Sequence, residues 1–334
     1  MGQSSVSALL RFLRAGCDMK YCGIGGQAVM EGVMMKNRDF YAVAVRKSDG
    51  EIVVDRKKVK TQRAVEAVQK IPIVRGVVNF IDSLYLGIGS LMYSSTFFEE
   101  EEEEKKKKEE DPEKAKKKEH ALMGTTLFIS LLIAILIFMV LPYYLSTLFS
   151  AWITSGFVLA LIEGGLRLAI FFGYIFFISR MKDIQRVFMY HGAEHKCINC
   201  IEHGLDLNVE NVRGSTRLHK RCGTSFLLFV VLISIVLFAF IQVDSRVLRI
   251  LLRLVLIPVV AGIAYEFIRL AGRSDNPVIN FLSKPGLAMQ YLTTKEPDDS
   301  MIEVGIASVE AVFDWKPYVR ELRAEAGEVT EEAV

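Results

Sequence analysis

Residues 121–162 read ALMGTTLFISLLIAILIFMVLPYYLSTLFSAWITSGFVLALI, without one charged side chain. Roughly 20 apolar residues cross a hydrocarbon core as a helix, so this run approaches the length of two crossings. Further apolar runs cover 164–179, 223–243 and 247–268. The expected fold is an α-helical integral membrane protein with four transmembrane helices, at 122–145, 156–179, 223–243 and 247–270. A small cytoplasmic α+β N-terminal domain and a helical C-terminal tail complete it, and the lipid bilayer is the first partner.

Lysine and arginine in short loops set the orientation. The connection 146–155 has neither, whereas 180–222 holds Arg180, Lys182, Arg186, Lys196, Arg213, Arg217, Lys220 and Arg221. That segment and both termini are therefore expected in the cytoplasm of a multi-pass cell-membrane protein. Tyr143, Tyr144 and Trp152 then fall at the outer interface. Inside the spans, Glu163 and Arg167 share a helix face, and Glu163 lies at the depth of Arg253. A charge at that depth needs a partner. A Glu163–Arg253 contact is expected, with Arg249 nearby, as a packing clasp rather than a proton path.

Outward from the spans, residues 1–22 form an N-terminal segment without the apolar core and cleavage site of a signal peptide. Its MGQSSV start matches a myristoylation pattern and is read as coincidence. Residues 23–75 read as the small α+β domain. FYAVAVRK and EIVVDRKK are strands joined at Ser48-Asp49-Gly50, a hairpin signal. GIGGQAVMEGVMMKNR before them reads as a strand with tight backbone approaches, and 61–70 as a short helix. Residues 76–98, with Asn79, Asp82 and three glycines, suit an interfacial or membrane-packed helix. The charge blocks of 99–120 bury nothing and read as a solvated linker.

The segment 180–222 is expected as a cytoplasmic His/Cys loop, and 271–334 as the cytoplasmic tail. In that tail, 286–294 suits a short helix, and 297–300 caps another at 301–313. Ile302, Ile306, Val309 and Val312 give the second an apolar face for docking on the N-terminal domain or the membrane surface.

The formal net charge of +2 hides no arginine-rich stripe, which excludes nucleic-acid binding as a main role. Five cysteines, three of them near four histidines, point to thiol or metal chemistry rather than a disulfide framework. Residues 189–200 read MYHGAEHKCINC. His191 and His195 are spaced i,i+4 and can meet one ion from a single helix face. With Glu194 they form H-x-x-E-H, the inverzincin order, in which the glutamate is the general base. His219 and Cys222 precede the third span and Glu202 lies between, so His191, His195, His219, Cys222 and Glu202 are the candidate ligands. Zinc is the expected divalent ion. Its occupancy should fall as pH drops through about 6, where histidine protonates. Cys197 and Cys200 form a further CxxC. The simpler reading of all these groups is histidines at a helix end and reduced, buried packing cysteines.

GGQAVMEGVMMK, PIVRGVVNFIDSLYLG, YHGAEHK, HKRCGTSFLL and LTTKEPDDSMIEVGIASV, in that order, resemble the YqhQ-like family of bacterial membrane proteins of unknown function. The resemblance spans about 20–315, without the charged linker or the end of the tail. It implies a metal-dependent enzyme whose reaction is not established, with the family pattern on His191, Glu194, His195, Lys196, Glu202, His219, Arg221 and Cys222. Cys197 lies outside that pattern. The expected function is a metal-dependent hydrolase at the cytoplasmic membrane face, with Glu194 as catalytic base. The alternative is a non-enzymatic membrane-protein assembly or insertion factor, with a protein partner at the cytoplasmic face and the His/Cys cluster as a staple. Three protein ligands would favour catalysis, and four a staple. A Cys222 thiolate ligand would lower the ion's Lewis acidity.

Overall fold

The computed structural model describes residues 21–59, 70–98, 112–241, 243, 245–274 and 276–325. The expected helix at 61–70 therefore falls almost wholly outside the described residues.

The N-terminal unit is a four-stranded antiparallel meander, β1 (Ile24–Val29), β2 (Gly32–Asn37), β3 (Phe40–Arg46) and β4 (Ile52–Lys58). The glycine-rich stretch expected as one strand is a hairpin of two. Its turn at Met30-Glu31 works because Glu31 takes φ 48°, and Arg38 at φ 46° does the same in the next turn. Period-2 alternation gives the sheet two apolar faces. Ile24, Val33, Met35, Ala42 and Ala44 face a large core. Val29, Met34, Val43 and Val45 face Tyr93, Phe97 and Phe98, at the end of helix α1 (Val74–Ser95).

Helix α1 covers the stretch expected as a packed rather than spanning helix. Its N-terminal end lies on a later helix, where a Cβ on Gly76 would stand 3.0 Å from the Gly262 Cα. Arg75 donates to Glu266 there at 2.6 Å.

Helix α2 (Pro112–Ile135) continues through a π-turn at Leu136–Val140 into α3 (Leu141–Thr147) and a 3₁₀ turn, Leu148–Ala151. Two expectations change here. Residues 112–120, expected in the linker, belong to the helix, and the open connection shrinks to 152–155. After it come α4 (Gly156–Ile178), α5 (Lys182–Glu202), α6 (Val209–Gly214), α7 (Gly223–Ala239) and α8 (Arg246–Ala271). Among the described residues, Ala121–Ala151, Gly156–Ile178 and Val247–Ala271 are long and apolar enough to cross a membrane. Helix α7, expected to span at 223–243, is apolar but 17 residues long. It stops at Phe240, beyond which the Val243 carbonyl accepts from Arg249 Nε at 3.0 Å.

The Glu163–Arg253 contact is present at 2.5 Å. Arg167 adds a second bond to the same carboxylate at 2.8 Å and reaches Ser234 at 2.9 Å. Trp152 and Tyr144 are exposed, whereas Tyr143 is buried, with the Arg253 guanidinium 5.6 Å from its ring centre.

About half of the expected loop 180–222 is the helix α5, buried along its second half. Ala193, Cys197 and Ile201 of α5 join one core with the sheet and with the helix Asp299–Val312. The tail closes the unit with α9 (Pro277–Thr293), α10 (Asp299–Val312) and α11 (Trp315–Glu325). Helix α9 starts well before the expected 286–294, because Asn276 caps it and Pro277 stands where no N–H is needed. Asp298 caps α10 as its sequence predicts, accepting from the Met301 N–H at 3.0 Å. The apolar face of α10 lies on the sheet, with Ile302 and Val309 fully buried and the Ser308 hydroxyl donating to the Ala42 carbonyl.

Candidate metal centre

Three segments meet at one end of the apolar helices: the middle of α5, the turn 215–222 before α7, and the extended strip 293–297 after α9. Gly192 is what lets the strip lie on α5. A Cβ there would stand 2.0 Å from the Lys295 carbonyl oxygen, a backbone clash that no rotamer relieves. The strip is fastened by the Lys295 N–H donating to the Phe188 carbonyl at 2.8 Å.

This arrangement orients both histidines of HGAEH. His191 Nδ1 lies 2.9 Å from the Thr293 carbonyl, and His195 Nδ1 lies 2.6 Å from the Arg217 carbonyl. A carbonyl only accepts, so each Nδ1 carries a proton, and each Nε2 is the nitrogen left to meet an ion once any proton on it is displaced. Backbone carbonyls orient metal-binding imidazoles in the same way. His191 Nε2 is 3.3 Å from Cys222 Sγ. One ligand atom from each of His191, His195 and Cys222 lies within 4.8 Å of the others.

The charges suit a cation. Burial opposes ionisation of the Cys222 thiol, but the two imidazoles outweigh it and hold the thiol well below its ordinary range. Burial also opposes protonation of His191, yet the thiolate raises its pKa to about 9. A thiolate and two oriented imidazoles are a zinc donor set. Cys222 also stands at the N-cap of α7, where the helix dipole favours a thiolate.

Glu194 is buried on the sheet side of the group. Burial raises its pKa, while the His195 and His191 rings pull it back. Gly26 of β1 leaves room for it, since a Cβ there would stand 2.9 Å from Glu194 Cγ. The tight backbone approach expected of GIGG thus serves this carboxylate.

His219 and Glu202 stand apart from the three-ligand group. His219 Nε2 is 3.6 Å from Glu202, which also takes a hydrogen bond from Arg221 and one from the Cys22 N–H at 3.0 Å. Burial would raise the Glu202 pKa, but His219 and Arg221 bring it to about 2. Burial, reinforced by the Arg221 charge, lowers His219 to about 4. The His219 ring centre is nevertheless 5.5 Å from that of His195, so the two groups are neighbours. Of the CxxC pair, Cys197 packs against Gly305 of α10, and Cys200 lies 3.4 Å from the Asp206 carbonyl. Burial pushes both thiols up, Cys200 to about 12, so they are packing residues. Lys196 is tied to Glu296 at 2.8 Å and to the Arg213 carbonyl at 2.9 Å.

Gln290 went unnoticed in the sequence. It accepts from the His219 N–H and donates to the His219 carbonyl, both at 2.8 Å, and it also donates to Ser225. It thereby holds the turn that delivers Cys222. The available signal was a polar pair, Gln290 and Thr293, on one face of an otherwise apolar helix.

No solved structure matches this chain. An uncharacterised protein of Bacillus subtilis (strain 168), YqhQ, is 37% identical over 286 residues, covering 85% of this chain and 90% of that protein. The model of a protein family of unknown function, DUF1385, matches residues 71–315. It takes in both histidine groups and every apolar helix, and the chain belongs to this family.

Proposed function

We propose that this chain is a multi-pass cell-membrane protein with a zinc site on the cytoplasmic face, and that the site is hydrolytic. The observation that carries the reading is the pair of imidazoles, each anchored at Nδ1 by a backbone carbonyl, beside a Cys222 held as thiolate. His191, His195 and Cys222 would hold the ion, which supplies Lewis acidity when bound. Three protein ligands leave a coordination position for substrate or solvent. Glu194, with a pKa raised by burial, is placed to take a proton at its carboxylate and later return it. His219 and Glu202 brace the turn from outside the ligand set.

In this reading α7 is the crossing between α4 and α8. Its 17 residues make about 26 Å of helix at 1.5 Å per residue, a little short of a hydrocarbon core of about 30 Å. Both termini lie in the cytoplasm because the Lys/Arg excess flanks α5. A cysteine placed at Asn208 should resist an impermeant outside label while one at Ser150 reacts. The reverse pattern would invert the topology.

The second reading is a structural staple in a membrane-protein assembly factor, and the thiolate ligand favours it by lowering Lewis acidity. Glu194→Gln separates the two. Zinc retained with function lost in cells supports hydrolysis, and zinc and function both retained supports the staple.

A further inference from the structure

At the far end of the apolar helices from Cys222, a cavity of about 230 Å³ opens between α3, α4 and the α7–α8 turn. Tyr143, Ser146, Ser150, Glu163, Arg249 and Arg253 line it. The charge there is unbalanced. Arg167, Arg249 and Arg253 surround one described carboxylate, Glu163, which already accepts from two of them. Arg253 is 2% exposed and its Nε has no hydrogen-bond partner, as is also true of buried Arg167 Nε. Among the described residues Arg249 donates to a neutral group, the Val243 carbonyl. Asp244 lies outside the described residues, but the imbalance survives it. From 121 to 179 and from 223 to 260 the sequence holds Arg167, Arg246, Arg249 and Arg253 against Glu163 and Asp244.

Surplus buried guanidinium charge in an apolar helix bundle is costly unless an anion meets it. The lining hydroxyls of Ser146, Thr147 and Ser150 each donate to the carbonyl three residues back and do not supply that charge. We propose that this cavity is an anion site for a phosphate oxyanion, borne by a lipid headgroup or by a free phosphate compound, with Arg253 and Arg249 as its donors. Guanidinium groups are suited to phosphate because they offer paired N–H donors in one plane. The site is separate from the His/Cys group and does not depend on what that group binds.

The test uses the full chain. Nanodiscs of phosphatidylcholine containing phosphatidylglycerol are dissolved in neutral detergent, and retained lipid is counted by native mass spectrometry. In parallel, inorganic phosphate is added to lipid-free protein and the melting temperature is followed. Arg249→Gln removes a donor without touching the Glu163 clasp, and Ala160→Phe fills the cavity while leaving every charge in place. The headgroup source predicts at least about tenfold preference for the anionic lipid, lost in both variants. The free-phosphate source predicts no lipid preference but a phosphate-dependent rise in melting temperature, also lost in both. If Arg249→Gln does not fold, Ala160→Phe decides alone. Neither response in the wild type, or a response that survives both variants, overturns the proposal.

Discussion

Two histidine groups stand side by side on the same turn, and they are built to opposite ends. In the His191–His195–Cys222 group one ligand atom from each side chain faces the others, and the negative charge comes from the thiolate with Glu194 beside it. In the His219–Glu202–Arg221 group a carboxylate already has its cation, so nothing is left for a metal to neutralise. The difference comes from a single arginine. Arg221 completes the second group and lowers both Glu202 and His219, whereas no guanidinium figures in the shifts of His191 and Cys222.

The largest effect expected from this comparison is on stability. Glu202→Gln leaves the Arg221 charge without its carboxylate in a buried setting, and should cost about 3–5 kcal/mol. Thermal or denaturant unfolding would read this, and zinc content should be unchanged in the fraction that remains folded. Loss of zinc in that fraction would merge the two groups.

Gly192→Ala comes next. It forces the 293–297 strip off α5, at a cost of about 1–3 kcal/mol for overpacking. Because the Thr293 carbonyl orients His191, zinc affinity should also fall, by roughly 10–100-fold, as for loss of an outer orienting partner. Competition with a chromogenic chelator measures it. Unchanged affinity would show that the carbonyl does not orient the ligand.

Acid should act on the second group first. His219 has its folded pKa lowered to about 4, below its unfolded value of about 6.5. Its unfolded form therefore binds the extra proton first, so its contribution is present above pH 6.5 and is lost as pH falls through 4. Glu202, at about 2 against an unfolded 4.5, follows the same sign, its contribution being lost between pH 4.5 and 2. In His219→Gln the loss of stability between pH 6.5 and 4 should shrink. The zinc-free His191 has the opposite sign, because its folded pKa of about 9 lies above the unfolded one. That contribution is present below pH 6.5 and lost as pH rises through 9. Zinc displaces the same proton, so affinity should rise about tenfold per pH unit up to that value.

The smallest effect is reserved for the CxxC. Cys200→Ala should cost about 1 kcal/mol, within the ordinary range for a point change, and leave zinc content untouched. A drop in zinc would bring Cys200 into the site.

Much of this comparison could be read from the residues, and the part that could not has a physical cause. Histidine spacing in HGAEH, the charge-free run 121–162, the Asp298 cap and the Glu163–Arg253 contact are local or depth-matched patterns, and each appears in the structure. The 180–222 segment read as a loop because it is a charged connection between two apolar spans, with helical spacing noted only for His191 and His195. Residues 182–202 of it are a helix whose second half is buried between the sheet, α10 and the 293–297 strip, so that half shows no polar face to mark the period. The split of five candidate ligands into two groups was hidden for a related reason. It depends on Arg221 and Gln290, whose partners lie 19 and 71 residues away.

The central claim is that three side chains, and not five, hold one zinc ion. Elemental analysis of the purified chain tests it most directly, with Cys222→Ser, His191→Ala and His219→Ala measured beside the wild type. The account predicts about one zinc per wild-type chain, near-complete loss in Cys222→Ser and His191→Ala, and retention in His219→Ala. Wild-type protein well below one zinc per chain and unchanged by Cys222→Ser, or His219→Ala as empty as His191→Ala, would contradict it.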